Sequence, residues 1–171
     1  MRRYILTGTP GSGKTALLRA LEVRGHCVVA EAATDVIALE QARGVAEPWT
    51  DPSFIGKILA LQRARRQWAT APLQFHDRST ICTAALARYL GYLEPAPEPE
   101  FYQRQVFFIR NLGHVEKTAA RRISFAEALE FEAVHEQVYR EQGYELIDIP
   151  PAPVETRADL VERYLRLATG T

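Results

Sequence analysis

Apolar positions along the chain fall into two alternating patterns. Arg3–Leu6, Cys27–Ala30, Pro72–His76, Val106–Ile109 and Glu145–Ile149 are short apolar or β-branched runs of the length expected for buried strands. Between them apolar residues recur at helical spacing. Lys14–Arg24 places Leu17, Leu18 and Leu21 on one face and stops at Gly25, a plausible C-cap. Ala33–Arg43 reads as a second helix closed by Gly44. Asp51-Pro52 is an N-cap followed by proline at the first helical position, and opens a helix to about Thr70. Thr80–Leu90 ends at Gly91. Ser124-Phe-Ala-Glu127 is a capping box starting a helix that runs to near Gly143, and Thr156-Arg-Ala-Asp159 caps a last helix reaching about Ala168. The proline-rich stretch Glu94–Glu100 reads as a stiff polar connection.

Strands alternating with helices from end to end predict an α/β fold, a five-stranded parallel sheet with helices on both faces, in three layers. Ligands in such folds bind beyond the C-terminal ends of the strands. The 171 residues suit a single domain spanning 1–171. Lys+Arg and Asp+Glu both number 21, so the net charge is zero. A protein gripping duplex nucleic acid or an anionic membrane usually carries a basic excess, so a small ligand or a protein partner is favoured. Two cysteines, Cys27 and Cys82, make no disulfide framework and suggest a reduced, cytoplasmic setting. The first residues lack the apolar core of a secretory signal, and no run is long enough for a membrane span.

One segment carries the strongest chemistry. Gly8, Thr9, Pro10, Gly11, Ser12, Gly13, Lys14 and Thr15 match G-x-x-x-x-G-K-S/T between a predicted strand and a predicted helix. Glycines let the backbone wrap around phosphate oxygens, and the helix N-terminus supplies fixed positive partial charge. Lys14, read as exposed in an empty loop, would reach the β/γ phosphates, and the Thr15 hydroxyl would bind Mg²⁺. Asp77 ends the third strand and is the expected second Mg²⁺ partner, with a helix N-cap as the bland reading. Arg78 follows, facing the transfer site or forming a structural ion pair. Glu31 follows the second strand and is a candidate base for an acceptor hydroxyl, or an N-cap or surface carboxylate of the next helix. The division of base and metal roles between Glu31 and Asp77 is left open by the sequence. Arg121 and Arg122 lie in a candidate lid of about residues 110–123, with Lys117, Arg110 and Arg104 weaker candidates. Arg63, Arg65 and Arg66 read as a solvated helix face. Trp49, Phe54 and Trp68 are candidates for an acceptor wall, with core packing favoured for Phe54 and Trp68. None of the four histidines has metal-ligand spacing.

Taken together, GTPGSGKT, VVAEAATDVI, PWTDPSFIGKILALQ, QFHDRS, TAARRISFAEAL and GYELIDIPPAPVETR resemble the small AAA-labelled P-loop domains related to the kinase domain of bacterial ribosylnicotinamide kinase. The resemblance implies a nucleotide-kinase-like P-loop NTPase fold that binds ATP, or GTP, with Mg²⁺. It also implies that the segment after the fifth strand, with Pro151, Ala152 and Pro153, lies near the base. Where the group often has arginine three residues after the strand-end glutamate, this chain has Thr34. The expected activity is phosphoryl transfer to a small, nucleoside-like hydroxyl compound. The alternatives are a nucleotide-dependent switch acting on a protein partner and, less favoured, a nucleic-acid enzyme.

Overall fold

The structure is a computed structural model that describes residues 1–8, 10–96, 98, 101–112 and 125–169. Its strands are β1 (Arg2–Thr7), β2 (Cys27–Val29), β3 (Leu73–Asp77), β4 (Gln105–Ile109) and β5 (Glu145–Ile149). Its helices are α1 (Lys14–Val23), α2 (Ala33–Ala42), α3 (Ser53–Trp68), α4 (Thr80–Leu90), α5 (Phe125–Glu141) and α6 (Val154–Thr169). A 3₁₀ turn at Pro48–Thr50, which periodicity did not signal, precedes α3. The strands form one sheet in the order β2-β3-β1-β4-β5, every pair parallel. This is the α/β sandwich the alternation predicts.

Pleat alternation divides the core. Tyr4, Leu6, Phe75, Phe107 and Ile109 point to the face covered by α1 and α6, where they meet Leu17, Leu18, Leu21, Val161 and Leu165. Ile5 and Val106 point to the other face and pack under α4 and α5 with Ile81, Ala85, Val138 and Tyr139. Helices α2 and α3 form a flank beside α4, closed by Ala32, Val36, Phe54 and Ile58. Both faces of the central strands are buried: β4 is apolar from Val106 to Ile109, whereas β3 carries Gln74 and His76 into the interior, where they hydrogen-bond to each other at 3.0 Å.

Two helix starts need comment. At α3, the Asp51 carboxylate accepts the Ser53 N–H at 2.8 Å, as the Asp-Pro signal predicts. At α6 the helix begins at Val154, two residues before the predicted Thr156 cap, and the Pro153 carbonyl accepts the Arg157 N–H at 3.1 Å. A rigid Pro153 fixes the turn into the helix, leaving Thr156 inside the first turn and aiming Arg157 at the phosphate loop.

Trp68 is 80 % exposed at the end of α3, so it is neither core nor cavity wall. Arg63 is exposed as expected, though it pairs with Glu98, whereas Arg66 is half-buried, pairs with the same Glu98 and lies over the Phe101 ring. No helix among the described residues is long and apolar enough to cross a membrane.

Candidate active site

Everything in the site hangs from the C-terminal edges of β1, β2 and β3. Register places Asp77 beside Leu6, and the Arg78 N–H donates to the Leu6 carbonyl at 3.0 Å. After β1 the chain turns sharply at Gly8, with φ +133°, where a Cβ would stand 2.3 Å from the Ile109 carbonyl oxygen. Gly13, at φ +79°, sits under the Arg157 guanidinium, 2.7 Å from where its Cβ would be. Gly8 requires glycine for both backbone conformation and space, since a backbone oxygen blocks the Cβ, and Gly13 for its left-handed conformation. Arg157 donates to the Ser12 carbonyl at 2.7 Å and is itself buried, so α6 clamps the loop from above.

Lys14 is only 6 % exposed, which corrects the expectation of an exposed lysine. It donates to Ser12 Oγ at 3.3 Å. Burial and the nearby Arg78 charge lower its pKa to about 8, against the pull of Asp77 and Glu31. Asp77 is 4 % exposed, and its Oδ1 is without a hydrogen-bond partner. Burial and the Glu31 charge raise its pKa, while Lys14, Arg78 and a hydrogen bond from Thr15 oppose the rise. Glu31 goes the other way. Burial alone would raise it, but Arg78, Lys14 and the Thr34 hydroxyl, which donates to its Oε2 at 3.1 Å, hold it below the usual carboxylate value. The environments therefore separate the two acids: Glu31 is held as a carboxylate, and the charged form of Asp77 is disfavoured.

Arg78 lies between them. Its Nε is 2.6 Å from Glu31 Oε1, although the N–H is not aligned with that contact. Its Nη1 donates to His135 Nε2 at 3.2 Å. Among the described residues it is the one non-glycine with positive φ, at 69°, a conformation that bulky side chains avoid and that gathers at functional sites. The corner after it is braced by a buried network. Tyr139 OH is 2.9 Å from both Ser79 Oγ and Cys82 Sγ, and Thr7 Oγ1 is 3.2 Å from Cys82 Sγ.

Two cavities meet at Pro10 and Arg78. The first, about 420 Å³, is lined by Gly11, Gly13, Lys14, Thr15, Glu31 and Asp77 with Thr34 and Asp35. The second, about 330 Å³, is walled by Ile37, Trp49, Phe54, Ile58, Tyr89 and Phe131, with Glu47, Gln62 and Thr83 as polar members. Phe54 is thus both core and wall, and Trp49 is a wall as expected. Arg65, expected to be solvated, reaches back from α3 to the Ala30 carbonyl at 3.2 Å, the Glu31 carbonyl and the Asp35 carboxylate.

Gly8, Pro10, Gly11, Ser12, Gly13, Lys14, Thr15, Glu31, Asp77 and Arg78 are thus brought together. Pro151, Ala152 and Pro153 form the turn into α6 and line neither cavity. Arg110 is held by Asp148, Glu132 and Glu136, and Arg104 by the Gln142 carbonyl, so neither faces the site. Thr9, Lys117, Arg121 and Arg122 lie outside the described residues. Sequence reasoning missed Arg157, Arg65, His135, Tyr89 and Phe131. For Arg157 a signal existed, the Pro153 start of its helix; for the others only tertiary pairing reveals them.

The donor set fits a magnesium–nucleotide complex. A buried carboxylate oxygen without a partner beside a threonine hydroxyl is a hard-oxygen pair. Among the described residues no group of three or more His, Cys, Asp or Glu could hold a metal alone, so further ligands would come from phosphate and water.

A family model described as AAA domain matches residues 3–157. A search of curated proteins returns no match. Among solved structures, deoxyadenosine kinase from M. mycoides with products dCMP and a flexible dCDP bound is similar, with TM-score 0.66 and 11 % identity, over 96 % of this chain and 98 % of that one. The same enzyme with bound dCTP gives 0.65 and 13 % over 97 % and 99 %. Shikimate kinase from Acinetobacter baumannii in complex with shikimate gives 0.54 and 15 %, over 99 % and 94 %. At these identities the likeness shows the fold.

Proposed function

The chain belongs to the AAA domain family, and from that premise we propose that it is a phosphotransferase moving the γ-phosphoryl group of Mg·ATP to a small hydroxyl compound. The observation that carries the reading is the second cavity. A nucleotide-dependent switch needs a phosphate site and loops that sense it; here an apolar cavity of about 330 Å³ shares Pro10 and Arg78 in its lining with the phosphate site. Structural similarity to a deoxyadenosine kinase and a shikimate kinase supports the same class.

The chemistry follows from the residues. Backbone N–H groups of the loop and the start of α1 hold the β- and γ-phosphates, with Lys14 as a point charge among them. Phosphates would stabilise the positive charge of Lys14, which burial disfavours. Thr15 and Asp77 would hold Mg²⁺, which supplies charge neutralisation between the phosphates. An acceptor seated against Trp49, Phe54, Tyr89 and Phe131 brings its hydroxyl oxygen to the junction. That oxygen bonds to the γ-phosphorus, the bond to the ADP oxygen breaks, and the hydroxyl proton passes to the Glu31 carboxylate. Phosphoryl transfer is loose, so the proton leaves late and needs a fixed acceptor more than a strong base. Arg78, tethered to Glu31, faces the charge developing on the transferring group. Pro151, Ala152 and Pro153, on the turn that leads to Arg157, are assigned to the base side of the nucleotide.

The acceptor is read from its walls. Among the described lining residues Arg78 is the one cation, and it is paired with Glu31, while Glu47 adds an acid. An uncharged compound with a flat ring, such as a nucleoside, suits this lining; a carboxylate or phosphate at its buried end does not. Incubation with γ-labelled ATP and matched panels of nucleosides, nucleoside monophosphates and hydroxy acids tests this. Label in a nucleoside-type product is expected. No labelled product from any panel, together with a partner protein retained only in the ATP state, would overturn it in favour of a switch.

A further inference from the structure

Resting on the phosphotransfer reading, we infer that His135 is the positioning residue for Arg78: its Nε2 lone pair holds the guanidinium at the junction of the two cavities. The geometry allows one arrangement of protons. A guanidinium has donors only, so at 3.2 Å the His135 Nε2 must accept from Arg78 Nη1. Nδ1 then carries the hydrogen and donates to the Phe131 carbonyl at 2.9 Å, one helical turn back in α5. The ring is wholly buried. It meets the Phe131 ring edge-on, with centroids 4.2 Å apart.

A histidine used only to fill space would not need both nitrogens committed in opposite directions. This one also solves a difficulty at Arg78. That side chain springs from a left-handed backbone, and its ion pair with Glu31 is made through a misaligned Nε–H. Nothing in that pair fixes the far end of the fork. His135 fixes it, from the opposite side and without adding charge. Burial and the Arg78 charge lower the His135 pKa to about 3, so the acceptor lone pair persists at every physiological pH. The anchor is also tied to substrate. Phe131, whose carbonyl orients His135, is a wall of the acceptor cavity and packs against Tyr89, another wall, at 4.9 Å. An acceptor pressing on Phe131 thus presses on the group that aims Arg78.

Two variants and one spectrum test this. His135→Leu keeps bulk and removes the lone pair; His135→Gln can present an amide oxygen to Arg78. Nitrogen NMR of the parent should show His135 with hydrogen on Nδ1 and no titration between pH 5 and 8. The Arg78 guanidinium protons should exchange slowly in the parent, rapidly in His135→Leu and slowly again in His135→Gln. With a phosphorylated acceptor in hand, His135→Leu should lose about tenfold to a hundredfold in kcat, the worth of one hydrogen bond to a charged group. ATP affinity should stay within about twofold, and His135→Gln should recover most of the rate. Hydrogen on Nε2, or Arg78 exchange unchanged in His135→Leu, overturns the inference. The NMR readouts need no turnover, so they decide even if no acceptor is ever phosphorylated, which would count against the proposed function alone.

Discussion

Replacing Lys14 by methionine should stabilise the nucleotide-free protein while destroying its affinity for ATP. The lysine is 6 % exposed, and its pKa falls from the ordinary 10.5 to about 8. That fall is equivalent to about 3 kcal/mol against the charged form in the folded state. Below pH 8 the ammonium is held in both states and the full cost is present. Between pH 8 and 10.5 the unfolded chain still binds a proton that the folded chain has released, so stability rises with pH across that window. Methionine is unbranched like lysine, one atom shorter and uncharged, so it removes the cost of burying the charge. For a chain of this size about 3 kcal/mol corresponds to a rise in Tm of roughly 6–12 °C at pH 7. The rise should shrink as pH climbs to 10. Thermal melts of parent and Lys14→Met at a series of pH values, read as a difference, cancel the tyrosines and other groups the two share. Calorimetry should show ATP affinity reduced by more than about tenfold, the value of one charge-assisted contact. A variant that melts at or below the parent at pH 7 would refute the reasoning: the apparent cost of burial would then be met by contacts with Asp77 and Glu31.

Glu31→Gln should keep Mg·ATP binding and lose turnover, whereas Asp77→Asn should weaken the Mg²⁺ dependence of binding; titrations with and without Mg²⁺ beside single-turnover rates separate them, and parent-like turnover in both removes either acid from the chemistry. Nucleotide binding should take up a proton near pH 8–9, as phosphates restore the charge on Lys14; calorimetry in buffers of different ionisation enthalpy reads the number, and zero uptake contradicts it. Arg157→Ala should loosen the phosphate loop, costing about 1.5–3 kcal/mol in denaturant unfolding for the lost charged hydrogen bond to the Ser12 carbonyl. Arg121→Ala with Arg122→Ala should lower turnover far more than ATP affinity, as expected of lid arginines that meet transition-state charge; equal losses would mark them as ground-state binders.

The fold was legible because its signals are local. Strand runs, helical spacing and the glycines after Leu6 each act within a few residues, and the phosphate loop is contiguous in sequence. Glu31, Asp77 and Arg78 were legible because strand ends in a parallel sheet converge on one edge. The remainder depends on partners far apart in the chain. Arg65 reaches residues 34 and 35 positions earlier, and Arg78 meets His135 57 positions later. No periodicity encodes such pairs. The burial of Lys14 is illegible for the same reason: the charges that act on it, Arg78, Asp77 and Glu31, stand at the ends of other strands.

Helix α3 sets a limit on how this protein can diverge. Phe54, Ile58 and Gln62 are spaced four apart and face the cavity, and Arg65, less than one turn further, grips the backbone that presents Glu31. Taste and action are thus mounted on one rigid rod. On the phosphotransfer reading, a lineage, or a directed-evolution campaign, seeking a bulkier acceptor meets different costs at the two ends of this helix. Trimming Phe54 makes room about three turns from Arg65 at the cost of core contacts with Ala32 and Val36, whereas a larger residue at Gln62 loses the buried hydrogen bonds to Ser79 and Thr83 and should shift Arg65, and with it Glu31. Selected variants should therefore accumulate changes at the N-terminal turns of α3 and leave its last turns untouched.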